Sequence, residues 1–95
     1  MHYRITKVYH EQGKRDNIIE YLKTKNEDIK SIEGLQSVRI IAISETESIA
    51  ISKYENEQQL TMAEEKFKEI MVGMMPFMTA PPEVHNGDEC WSMKN

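Results

Sequence analysis

The spacing of apolar residues along this chain alternates between strand-like and helix-like periods, and the changes predict its elements. Residues 3–9, Tyr-Arg-Ile-Thr-Lys-Val-Tyr, are rich in β-branched and aromatic types and predict a strand. Gly13 interrupts the pattern. From about Lys14 to Ile32, Ile18, Leu22, Ile29 and Ile32 recur four, seven and three residues apart, which keeps them on one helical stripe. Gly34 follows as a candidate C-cap, since glycine takes positive φ at no steric cost. Residues 37–44 and 48–54 predict two strands joined as a hairpin through Glu45-Thr46-Glu47. Asn56 is placed to cap the next helix, with Gln59 three residues on as a capping box wants. Leu60, Ala63, Phe67, Ile70, Met71 and Met74 then follow at helical spacing, and Pro76 ends the helix. A final strand lies within Glu83–Met93, starting at 83 or at 88, with Asn86-Gly87 as a turn or bulge signal.

The predicted order is β-α-β-β-α-β, in one domain spanning residues 1–95. The hairpin strands carry a further message. In residues 48–54, Ile49 and Ile51 share one face, while Ser48, Ala50, Ser52 and Tyr54 share the other. In residues 37–44, Val38, Ile40 and Ala42 alternate with Arg39, Ile41 and Ile43, so that strand is apolar on both faces. Two helices cover only one face of a four-stranded sheet. The second face therefore expects cover from another chain.

Composition narrows the function classes. A chain of 95 residues buries roughly 65% of its unfolded surface, enough for one modest core. Twelve basic residues face sixteen acidic ones, and no basic run exceeds Lys14-Arg15. That balance argues against nucleic acid as a partner, because phosphate neutralisation supplies most of such affinity. No apolar stretch approaches the ~18 residues of a membrane span. Met1-His2-Tyr3-Arg4 lacks an apolar signal region, and the lone Cys90 forms no internal disulfide, so a cytoplasmic setting is expected.

The order of elements, the Glu33-Gly34-Leu35 turn into the second strand and the Tyr54-Glu55-Asn56-Glu57 lead into the second helix carry a resemblance. Over about residues 2–93 the chain is similar to the dimeric α+β barrel superfamily, and within it resembles the antibiotic biosynthesis monooxygenase-like domain. The resemblance implies an α+β, ferredoxin-like βαββαβ subunit, with an antiparallel four-stranded sheet and two helices on one face. It implies a homodimer whose sheets pack face to face, each subunit holding a small cavity. Members include cofactor-free monooxygenases, in which an electron-rich phenolic substrate itself reduces oxygen, and haem-degrading enzymes. The haem-degrading branch carries an Asn in its first strand and a Trp and a His around its second helix. This chain has none of them at those positions, although His10 and His85 leave a generic haem ligand open.

Candidate chemistry is sparse. There is no P-loop, GxGxxG, nucleophile elbow or EF-hand, so no cofactor is expected. Of the three histidines, His2 and His10 read as surface or hydrogen-bonded residues. His85, beside the Asn-Gly signal, is the candidate proton shuttle at a cavity mouth. Arg39 lies in an otherwise apolar strand; it forms an ion pair across a dimer interface or anchors an anionic or phenolate ligand. Arg4 and Thr6 share a face of the first strand and raise the same question. Tyr9, Tyr54 and Trp91 either line an aromatic pocket or complete a core, with Trp91 in the last strand on the side of His85 and Glu89. Met74 belongs to a methionine cluster with Met71, Met75 and Met78 that either packs a core or forms a lid over an apolar pocket. Expected ligands are small apolar or aromatic molecules; Cys90 reads as structural.

Overall fold

The computed structural model describes residues 1–95. Four strands, β1 (His2–Tyr9), β2 (Leu35–Ser44), β3 (Glu47–Tyr54) and β4 (Glu83–Asp88), form one antiparallel sheet in the order β2-β3-β1-β4. The helices are α1 (Arg15–Thr24), α2 (Asn26–Lys30), α3 (Glu57–Met62) and α4 (Glu64–Met74). This is the expected ferredoxin-like βαββαβ arrangement. Each expected helix is broken once, at Lys25 and at Ala63. No helix is long and apolar enough to cross a membrane.

Local sequence explains the boundaries. The Asn56 side chain accepts the Gln59 N–H at 2.9 Å, as the capping pattern predicted. Pro76 falls in a 3₁₀ turn, Met75–Phe77, directly after α4. Gly34 is not the expected C-cap, which is Ser31 at the end of α2; it forms the turn into β2 at φ 83°, where a Cβ would lie 2.5 Å from the Gln59 side chain, so both backbone and space demand glycine. The last strand starts at Glu83 and ends at Asp88. Trp91 therefore lies beyond it, 77% exposed, and strand alternation does not place its side chain.

Register sorts the sheet residues by face. Along β1, His2, Arg4, Thr6 and Val8 are buried and alternate with Tyr3, Ile5, Lys7 and Tyr9. Pairing of Arg4 with Ser52, Thr6 with Ala50, and Ser52 with Val38 sets the helix-covered face. Two apolar clusters anchor it: Val8, Ile18 and Met74 at one end, and Tyr54, Leu60 and Ala63 at the other. The opposite face carries a row of paired positions running Arg39, Ile51, Ile5, His85, with Ile41, Ile49, Lys7 and Glu83 in the next row. It has no helix over it, and Ile5 and Ile41 are 41% and 43% exposed. The isoleucines of β3 thus point away from the helices, and its serines point toward them.

Candidate functional site

Between the helix-covered face and the helices lies a cavity of about 70 Å³. That is several times the ~10–15 Å³ a single water requires. Thirteen of its fifteen lining residues are hydrophobic, among them Leu22, Ile29, Phe67, Met71 and Met74. Its floor is the sheet, where Thr6, Ser52 and Tyr54 are the hydroxyl-bearing residues of an otherwise apolar lining. The half-exposed Val38 on the edge strand β2 marks its open side. A second hollow, about 650 Å³, runs along α4 to Pro82, and Phe67 and Met71 separate the two by lining both.

Beside the first cavity sits a fully buried cation. Arg4 is 0% exposed. Its Nη2 donates to Glu64 Oε2 at 2.7 Å and to the Leu60 carbonyl at 3.3 Å. Its Nη1 lies 3.4 Å from Tyr54 Oη, and the guanidinium stacks 3.9 Å from the Phe67 ring centroid. The carboxylate, carbonyl and ring face replace the water this charge gives up. Its Nε alone has no partner. Burial pushes the Tyr54 hydroxyl above the ordinary tyrosine pKa of 10; Arg4 offsets part of that rise and Glu64 adds to it.

A separate buried network secures the opposite end of the sheet. His10 Nε2 lies 2.8 Å from Ser48 Oγ, which also accepts the Arg15 Nε–H at 2.7 Å. Arg15 continues to the carbonyls of Ser44 and Glu47 in the hairpin. Ser48 and His10 do not line the cavity, so this network straps α1 to the sheet. Buried polar groups are expected to be satisfied in this way.

The sequence matches no known family profile and no curated protein. Solved structures do match. A monooxygenase of Streptomyces coelicolor, solved in complex with the ligand nanaomycin D, superposes with a TM-score of 0.79 at 16% identity, covering 99% of this chain and 91% of that one. A Nitrosomonas europaea protein assigned to antibiotic biosynthesis monooxygenases gives 0.77 at 14%, covering 96% and 100%. A Caulobacter crescentus protein with the same assignment gives 0.78 at 14%, covering 95% and 90%. The fold is that of the antibiotic biosynthesis monooxygenase-like domain. At these identities the likeness carries the architecture; residue roles rest on this chain's own geometry.

Within this monooxygenase-like fold the sequence candidates separate. Tyr54 and Met74 both line the cavity. Arg39 and His85 share a row on the opposite, uncovered face, and both are exposed. They do not meet Tyr54, because strand alternation sends odd and even positions to opposite sides of the sheet. Trp91 joins neither group. The cavity is thus on the helix side of the sheet, and His85 lies on the other face. Sequence reasoning missed Ser52 and Phe67 as cavity residues, and raised Arg4 and Thr6 without placing them. The signal was the alternation of β1, whose polar positions Arg4 and Thr6 share a face with Val8.

Proposed function

We propose that this chain is a homodimeric, cofactor-independent monooxygenase-like protein that binds one small aromatic or apolar molecule in the cavity between sheet and helices. The observation that carries this reading is the cavity itself: an apolar lining interrupted by the hydroxyl-bearing residues Thr6, Ser52 and Tyr54. Such a site orients a ring by its oxygen substituents and keeps water from it. A phenolic substrate would supply the electrons for oxygen, and the protein would supply shape, desolvation and hydrogen bonds. The isoleucines of the uncovered face support the dimer, since a second copy laid on them buries a continuous apolar surface. Arg39 and His85 then serve that interface.

No lining residue is a His, Asp, Glu, Lys or Arg. That favours, as a second reading, a non-catalytic binding module of the same fold. One experiment separates the two. Oxygen uptake is followed with a panel of electron-rich phenols and hydroquinones, against protein-free controls, for wild type and Ala50→Leu. Ala50 lines the cavity, so leucine fills it. Uptake above control that Ala50→Leu abolishes supports the oxygenase. Binding without uptake supports the module, and uptake unaltered by Ala50→Leu refutes the cavity as the site.

A further inference from the structure

Tyr54 contributes more than wall area to the cavity. The only hydrogen-bond partner of its Oη is Arg4 Nη1, at 3.4 Å. A guanidinium has donors and no acceptor, so the phenol oxygen accepts there and its own proton has no acceptor in the protein. Burial raises the hydroxyl's pKa, so the proton stays in place at neutral pH. The ring lies at the end of β3, opposite Leu35 of β2, which also lines the cavity. Behind it, the Arg4 charge is matched by Glu64 at 2.7 Å and covered by Phe67. That balance removes the need for an anionic ligand.

Resting on the cavity being the ligand site, we propose that Tyr54 determines its specificity. Its O–H donates to a neutral acceptor oxygen, an aryl ketone or other carbonyl, at one end of an apolar ring compound. A ligand lacking that oxygen leaves the buried donor unpaired, and this is the stronger source of discrimination.

The test uses two probes of similar shape, acetophenone and ethylbenzene, titrated by methyl-resolved NMR into wild type and Tyr54→Phe. A neutral hydrogen bond is worth about 0.5–1.5 kcal/mol, roughly a 2- to 13-fold change in affinity. Tyr54→Phe should weaken acetophenone by that factor and strengthen ethylbenzene, since the donor that ethylbenzene leaves unpaired is gone. In wild type, the Tyr54 Cζ resonance should shift with acetophenone and not with ethylbenzene. That second measurement stands whatever the stability of the variant. Acetophenone affinity unaltered by Tyr54→Phe, or a Cζ resonance indifferent to acetophenone, overturns the inference while the cavity stands. If neither probe shifts the Met71 and Ile29 methyls, the cavity reading fails, and this inference with it.

Discussion

The Arg4–Glu64 pair makes an asymmetric prediction. Arg4 is wholly buried, whereas the Glu64 side chain is 40% exposed. Removing the carboxylate by Glu64→Ala leaves a buried cation with only the Leu60 carbonyl, the distant Tyr54 oxygen and the Phe67 face. Breaking a buried pair from that side costs about 3–5 kcal/mol in general, and the remaining partners put this case near the lower end. Removing the cation by Arg4→Met leaves a carboxylate that can turn to water. The loss is then chiefly the stacking on Phe67 and the bond to Leu60 O, about 1–2 kcal/mol. Each kcal/mol lowers Tm by roughly 4–8 °C in a domain of this size. Calorimetry at one fixed protein concentration should therefore find Glu64→Ala lower by about 12–24 °C and Arg4→Met by about 4–16 °C, one third to two thirds as much. The double variant should resemble Arg4→Met, since no charge is then stranded. Glu64→Ala milder than Arg4→Met would refute the reasoning, because it would mean that Arg4 gains water or another partner.

Four further outcomes are expected. Light scattering at micromolar concentration should give twice the 11.1 kDa chain mass, and Ile41→Lys should halve it by placing a charge in the uncovered apolar face. Lys7, bonded to Glu47, holds that carboxyl below its ordinary pKa. Its folded value is depressed, so its stabilisation is present above about pH 4.5 and lost as pH falls further; urea midpoints of wild type and Glu47→Gln should converge in acid. Gly73→Ala should destabilise the protein despite alanine's ~1 kcal/mol helix advantage, because a Cβ would overlap the Tyr21 hydroxyl that bonds Ile70 O; a raised urea midpoint would contradict this. Haem with a reductant and catalase should keep its Soret band, since the chain departs from the haem-degrading pattern at each of its positions; steady loss of the band would overturn that reading.

The backbone plan was legible because local signals agreed. Asn56 with Gln59, Gly34, Pro76 and the Glu45-Thr46-Glu47 link each constrain one boundary, and apolar spacing constrains the type of element between them. The breaks at Lys25 and Ala63 were not legible. Neither residue is a glycine or proline, and the apolar stripe continues across both. The bounds of β4, its start at Glu83 as well as its end at Asp88, were also hidden, since 83–88 is exposed throughout and its sequence shows no apolar alternation.

The site was harder for a specific reason. Sequence patterning identifies the buried face of a strand by its apolar residues, and here that rule points the wrong way. On β3 the isoleucines occupy the uncovered face, while Ser48, Ala50 and Ser52 lie beneath the helices. On β1 the covered positions are His2, Arg4, Thr6 and Val8. Small and polar residues under a layer of Leu22, Phe67, Met71 and Met74 leave space that larger side chains would have filled, and that space is the cavity. Arg4 can be buried there because Glu64, at the start of α4, reaches it across the cleft. The displaced isoleucines need cover elsewhere, which the helices cannot give. In the proposed dimer the same alternation accordingly produces both features: the residues that open a pocket on one face of the sheet commit the other face to a partner.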